Sequence, residues 1–65
     1  MSKREFAEVM NFLYIAYDRE RDKPQMRVYY DQLGMFNLNS LCSVAEEWVR
    51  ESPFFPKVAD LIKLI

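Results

Sequence analysis

The stretch Ser52-Pro53-Phe54-Phe55-Pro56 decides how this chain of 65 residues folds. The residue before a proline avoids helical backbone angles, so Pro53 predicts the end of the preceding helix. A proline fits the first turn of a helix, where its missing N–H costs nothing, so Pro56 predicts the start of the next helix. We expect the two phenylalanines to lock these helices together, with one ring buried and the other partly exposed. The predicted structural corner consists of Trp48, Phe54, Phe55 and Pro56.

Two earlier helices are predicted from apolar spacing and capping residues. The first covers residues 3–18, and a short, highly charged loop follows it. Asp22 is a suitable N-cap for the second helix, and Pro24 fits its first turn. The second helix ends either at Gly34, in the left-handed conformation common after helices, or further on at Phe36.

The third and fourth helices flank the corner. The third begins at one of two asparagines, because both Asn37 and Asn39 are suitable N-caps, and it ends before Pro53. The fourth is opened by Pro56 and runs to Ile65. Because the chain stops on an apolar residue without a cap, residues 1–65 are interpreted as a single helical domain, an excised N-terminal domain of a longer protein.

An apolar stripe at helical spacing runs along each predicted helix. The stripes contain, in chain order, Phe6, Val9, Met10, Leu13 and Tyr17; Met26, Tyr29, Tyr30 and Leu33; Leu38, Leu41, Cys42, Ala45, Trp48 and Val49; and Val58, Leu61, Ile62 and Ile65. Four short helices with short connections predict an all-α fold. We expect a small antiparallel bundle of about four short helices, arranged as two packed helical hairpins.

The composition disfavours catalytic and metal chemistry. The chain has no histidine, one glycine and one cysteine, so it lacks a histidine-activated nucleophile, a phosphate-binding glycine loop and a set of zinc ligands. Cys42 lies on an apolar stripe, where a thiol behaves as a small hydrophobic group. We therefore predict no enzymatic activity, no catalytic or metal site and no cofactor.

The charge and hydropathy of the chain indicate which binding partners and which cellular location to expect. The net charge is −1, and nine basic residues are interleaved with ten acidic ones, which disfavours direct binding of nucleic acid. No apolar run approaches the length of a membrane span, so no membrane partner is expected. The single cysteine and the lack of an apolar export segment at the N-terminus predict a cytoplasmic protein.

Several apolar side chains lie away from the predicted stripes. On a helical wheel Ile15 lies nearly opposite the first stripe, and Phe12 lies well off it. Isolated exposed apolar residues are normal, and a helix covered on two sides would also explain them. The alternative is a contact patch for a protein partner or for a second copy of the chain. The candidate partner-binding residues are Phe12, Tyr14, Ile15, Val28, Tyr30 and Leu64.

A series of motifs spans nearly the whole chain. The motifs are Ala16-Tyr17, Tyr29-Tyr30-Asp31-Gln32-Leu33, the helical series Leu41, Ala45 and Val49, the corner Phe54-Phe55-Pro56, and the short helix Val58-Ala59-Asp60-Leu61. In this order they resemble the N-terminal domain of phage and prophage replicative-helicase loader/inhibitor proteins. Most of the matched positions are core residues or belong to the corner that breaks the helix.

The resemblance implies an all-helical domain that acts in phage DNA replication without hydrolysing nucleotide. Proteins of this kind bind a hexameric replicative helicase, hold it inactive and help to deliver it to an origin-bound initiator. They carry a polar C-terminal extension that engages the helicase, so residues 1–65 either bind helicase themselves, contact the initiator or support assembly. Two alternatives are a DNA-binding module that presents the third helix and a structural module that dimerises. The DNA-binding alternative would place Glu46, Glu47 and Glu51 against phosphates.

Overall fold

A computed structural model describes all residues, 1–65, and contains four α-helices and no strand. The helices are α1 (Lys3–Ala16), α2 (Lys23–Leu33), α3 (Leu38–Glu51) and α4 (Val58–Leu64). The predicted all-α class and the predicted number of helices are confirmed.

The first three helices begin at side-chain caps. The Ser2 hydroxyl accepts the Glu5 N–H at 3.1 Å, and the Glu5 carboxylate accepts the Ser2 N–H at 2.8 Å, which is a complete capping box. The predicted cap of α2 is confirmed, because the Asp22 carboxylate accepts the N–H of Gln25 at 3.0 Å. Asn37, rather than the alternative Asn39, caps α3.

The predicted end of the first helix is wrong, and at the end of the second helix only the predicted backbone conformation is wrong. The first helix stops at Ala16 rather than at residue 18, because Asp18 adopts a left-handed conformation with φ of 54°. The Arg19 N–H then reaches back to the Tyr14 carbonyl at 2.8 Å, which closes a Schellman-type end. The second helix ends at Leu33 with Gly34 as its C-cap, which confirms the first of the two predicted boundaries, but Gly34 is right-handed, with φ of −63°, rather than left-handed.

The fourth helix also begins later than predicted. Pro56 lies before the helix, Lys57 is the N-cap, and α4 starts at Val58. Asp60, three residues downstream of the cap, fixes this start because its carboxylate accepts the Lys57 N–H at 2.9 Å. Pro56 is instead fully buried, and its carbonyl takes part in the packing of the corner.

The four helices form two antiparallel hairpins, α1–α2 and α3–α4. In the first, the Tyr14 hydroxyl near the end of α1 donates to Gln25 near the start of α2 at 2.8 Å. At the other end of this pair, the rings of Phe6 and Tyr30 meet edge to face with centroids 5.3 Å apart. In the second hairpin, Leu64 at the end of α4 lies beside the start of α3. The predicted pair of packed hairpins is confirmed.

The hairpins pack so that α1 contacts α3 and α2 contacts α4. The Tyr17 hydroxyl just after α1 donates to the Ser52 carbonyl just after α3 at 2.9 Å, so α1 and α3 run in the same direction. The consecutive helices α2 and α3 lie diagonally across the bundle and do not contact each other. Two helices distant in sequence are therefore neighbours along one face of the domain.

The core lies between the four helices. It consists of Phe6, Val9, Met10, Leu13, Tyr14, Tyr29, Leu33, Leu41, Val44, Ala45 and Leu61. Tyr14 and Val44 were not on the predicted stripes, and α1 buries a wider face than one stripe because it packs on both α2 and α3. Ile62 and Ile65 were predicted to be core but are 42% and 43% exposed, since Leu61 is the only fully buried residue of α4.

The corner is organised around the ring of Phe55. This ring stacks on Tyr14 with centroids 5.4 Å apart, and it meets Tyr17 edge to face at 5.8 Å. Tyr29 approaches at 6.3 Å, and the Arg19 guanidinium lies 4.3 Å from the centroid of the Phe55 ring. Because Phe55 lies in the connection between α3 and α4, these contacts hold the second hairpin against the first.

Hydrogen bonds to backbone carbonyls hold the corner in place. The Tyr29 hydroxyl donates to the Pro56 carbonyl at 2.8 Å inside the core. The half-buried Trp48 indole donates to the Phe54 carbonyl at 2.7 Å. The Phe54 ring itself is 74% exposed, so the side chain of Phe54 locks no helices, contrary to the expectation that both phenylalanines would do so.

Candidate partner-binding surface

An open groove runs between the parallel helices α1 and α3, with a volume of about 230 Å³. It is called the α1–α3 groove below. The α1–α3 groove is lined by Glu5, Glu8, Val9 and Phe12 from α1, and by Leu38, Cys42, Ala45 and Glu46 from α3.

The floor of the groove is part of the core, and its walls are accessible apolar side chains. Val9 and Ala45 are buried at 6% and 1% exposure and form the floor. Phe12 is 41% exposed, and Leu38 and Cys42 are half-buried. An apolar surface that stays open to solvent between two rigid helices is typical of a protein contact site.

Carboxylates border the groove on both sides. Glu5 and Glu8 lie on the α1 side and Glu46 lies on the α3 side, and all three are exposed. The pKa of the Cys42 thiol is raised, first by burial and then by the negative charges of Glu46 and Glu8. The thiol is therefore protonated at neutral pH and is a poor nucleophile. The pKa of Glu5 is lowered because the backbone N–H and the hydroxyl of Ser2 both hydrogen-bond its carboxylate.

The structure divides the candidate partner-binding residues of α1. Phe12 forms part of the groove wall, and Ile15, one turn further along the helix, is 80% exposed. Tyr14 was predicted to be an anchor for a partner, but it is only 2% exposed. Its ring stacks on Phe55 and its hydroxyl is hydrogen-bonded to Gln25, so Tyr14 is a core residue and is removed from the candidate surface.

The other three candidates lie elsewhere. Val28 on α2 is 57% exposed and lines none of the grooves. Leu64 on α4 is 39% exposed and lines a separate groove between α3 and α4. Tyr30 is half-buried, with its ring against Phe6 and its hydroxyl 3.3 Å from the Met1 carbonyl. The structure therefore joins Phe12 and Ile15 into one surface and leaves Val28 and Leu64 outside it.

Sequence reasoning missed part of this surface. Leu38 and Cys42 were assigned to a core stripe, yet both line the open groove. The acidic border was missed because Glu8 and Glu46 are 38 positions apart and become neighbours only when α1 packs on α3. One sequence signal could have indicated the acidic border. On each helix a glutamate lies four positions from a groove residue, since Glu8 precedes Phe12 by four and Glu46 follows Cys42 by four.

The structure contains no metal-ligand cluster, no membrane-spanning helix and no buried charge. No group of three or more histidine, cysteine, aspartate or glutamate side chains could hold a metal ion. No helix has the length and apolar character needed to cross a membrane. The fully buried set of side chains contains no charged residue.

The fold and this surface define a class of small all-helical domains that expose an apolar groove between two parallel helices. The family model for the N-terminal domain of a phage helicase loader/inhibitor matches residues 1–62. The chain therefore belongs to this family of N-terminal domains, which is not a catalytic family. The resemblance inferred from the sequence motifs is confirmed. No curated protein and no solved structure gives a significant match.

Proposed function

We propose that this domain is a non-enzymatic protein–protein interaction module that binds the replicative helicase, the origin-bound initiator, or both, in the cytoplasm of the bacterial host. The proposal rests on the family context together with one structural observation. Phe12 and Ile15 are exposed side by side on α1, next to the apolar α1–α3 groove.

Burial of these two residues would make a measurable contribution to binding. Fully burying a large apolar side chain contributes about 1.5–3 kcal/mol, and aromatic residues are enriched among the anchors of interfaces. Phe12 and Ile15 are already partly covered in the free domain, so we expect them to contribute about 2 kcal/mol together. That contribution corresponds to roughly a 30-fold difference in Kd.

Sedimentation velocity tests the proposal directly. The domain is run alone, then with the helicase hexamer, and then with the initiator. The expected result is a faster boundary with at least one of these two proteins. The Phe12→Ser/Ile15→Ser variant should weaken that complex by about 30-fold, in line with the lost apolar burial. If the wild-type domain shifts with neither protein, the proposed function is wrong.

A matched control distinguishes the loss of a specific contact on α1 from a general effect of removing exposed apolar area. Met35 is 78% exposed in the turn between α2 and α3, away from the α1–α3 groove. Met35→Ser should leave binding unchanged. Equal weakening by Met35→Ser would show that the interaction does not depend on the α1 surface.

The acidic surface of α3 disfavours a direct role in binding DNA. Glu46, Glu47 and Glu51 are all exposed on this helix, and Arg50 is its only basic residue. Phosphate contacts require basic side chains, so presenting α3 to DNA would be repulsive. Titration of a fluorescently labelled duplex at low salt should therefore show no binding.

A further inference from the structure

Resting on the proposed function, we infer that the α1–α3 groove binds a basic amphipathic helix of the partner protein. The apolar side chains of that helix would enter the groove, and lysine or arginine side chains on its flanks would face Glu5, Glu8 and Glu46. The inference specifies the chemistry of the partner segment and does not depend on which replication protein carries it.

The walls of the groove favour a helical occupant. Both walls are α-helices whose backbone groups are hydrogen-bonded within each helix, so the groove has no free sheet edge. An extended peptide would lose water from its N–H and C=O groups without gaining backbone partners. A helix satisfies its own backbone and needs only side-chain contacts, which is the basis of helix-in-groove recognition.

The length of the groove sets the size of the occupant. The α1 wall runs from Glu5 to Phe12 and the α3 wall runs from Leu38 to Glu46. At a rise of 1.5 Å per residue these walls are each about 11–12 Å long, which corresponds to roughly two helical turns. A helix with apolar residues at positions i, i+3 or i+4, and i+7 matches this length.

The charge of the border selects a basic partner. All three carboxylates are exposed beside an apolar lining, and the charges of two of them, Glu8 and Glu46, act on the Cys42 thiol in the wall of the groove. The negative potential therefore reaches the lining of the groove as well as its border. A helix with basic flanks gains attraction on both sides of the groove, while an acidic helix meets repulsion on both sides.

A second copy of this chain does not fit the groove. A symmetric dimer through this face would place the same carboxylates opposite each other, and like charges across an interface are destabilising. The stretch Lys23-Pro24-Gln25-Met26-Arg27 has two basic residues and no acidic one, but it forms the start of α2, and its apolar residue Met26 packs against the core of its own domain. The complementary segment therefore belongs to a different protein.

Two synthetic peptides test the inference. Both have 15 residues and the same leucine spacing, and they differ only in carrying lysine or glutamate at the remaining positions. Each is titrated into the ¹⁵N-labelled domain, and amide shifts are followed by NMR. The lysine peptide should shift Val9, Phe12, Cys42 and Ala45 and bind at least tenfold more tightly than the glutamate peptide. Equal affinities, or shifts that lie elsewhere, would overturn the inference.

Charge reversal provides the second test. The Glu8→Lys/Glu46→Lys variant should lose at least tenfold in affinity for the lysine peptide and gain affinity for the glutamate peptide. The control is Glu20→Lys/Glu51→Lys, which makes the same two charge reversals at exposed sites outside the groove. The control has the same net charge as the groove variant, so an effect of net charge alone would appear in both variants, whereas the expected reversal of preference appears only in the groove variant. Circular dichroism verifies that both variants are folded.

The same variants separate this inference from the proposed function. If the domain binds helicase or initiator and Glu8→Lys/Glu46→Lys binds as well as wild type, the groove inference is wrong and the proposed function stands. If the domain binds neither protein while the lysine peptide enters the groove with the expected preference, the proposed function fails and the groove chemistry is supported.

Discussion

Replacing Phe55 by alanine should remove a large part of the stability of this domain, while the same change at Phe54 should have almost no effect. The ring of Phe55 contacts Tyr14, Tyr17 and Arg19, among other neighbours, and so connects both hairpins through the corner. The ring of Phe54 is 74% exposed. The hydrogen bond at Phe54 uses its backbone carbonyl, which survives the substitution.

The expected loss follows from these contacts. Truncating a fully buried phenylalanine costs about 3–5 kcal/mol, so a half-buried ring costs about 2 kcal/mol. Each aromatic pair adds about 0.5 kcal/mol or more beyond area burial, and the cation–π contact of Arg19 adds about 0.5 kcal/mol. The sum for Phe55→Ala is about 3–4 kcal/mol. A domain of this size has only about 3–10 kcal/mol of total stability.

Urea denaturation followed by circular dichroism measures the free energy of unfolding of each variant and of the wild type, and a thermal melt gives their melting temperatures. Phe55→Ala should lower the melting temperature by about 12–32 °C. Phe54→Ala should change the free energy of unfolding by no more than about 0.5 kcal/mol. Equal losses for the two variants, or a larger loss for Phe54→Ala, would refute the assignment of Phe55 as the centre of the corner.

Three further changes probe the packing. Gly34→Ala should destabilise the domain by about 1–3 kcal/mol, because a Cβ there would lie 2.9 Å from the ring of Tyr30; unchanged urea stability would contradict this. Tyr29→Phe should cost about 1–2 kcal/mol, since it leaves a buried carbonyl of the corner without its donor, and chemical denaturation measures the loss. Burial raises the pKa of Tyr14, Tyr17 and Tyr29, so their neutral forms stabilise the folded state. Stability should hold below about pH 10 and fall as the pH rises through the raised folded pKa values, which alkaline denaturation monitored by tyrosinate absorbance at about 295 nm checks.

Local signals were sufficient to predict the helices. Apolar residues at helical spacing placed all four, and Asp22 and Pro24 located the start of α2 because capping depends on residues close in sequence. Pro53 ended α3 for the same local reason. Gly34 was expected to be left-handed because glycine adopts that conformation at little cost, yet it is right-handed, and the left-handed residue is Asp18 after α1. Aspartate adopts this conformation less often than glycine, so the local sequence did not mark it.

The family and the all-α class also follow from the sequence alone, because the order of motifs and the corner are linear features. The difference between Phe54 and Phe55 is not linear. Adjacent residues of the same type have the same local preferences. The positions of Tyr14, Tyr17 and Tyr29 in the first hairpin determine which of the two rings is packed against the core.

The tertiary structure likewise decided the candidate binding surface. The pattern along α1 marked Phe12 and Ile15 as unusual, but it also marked Tyr14, which is buried because α1 is covered by two helices. Glu8 and Glu46 line the same groove only because α1 packs parallel to α3, although α2 lies between these helices in the sequence. Helical periodicity specifies which side of one helix is apolar. An apolar groove with an acidic border forms only where two particular helices are adjacent, and long-range packing alone determines which helices those are.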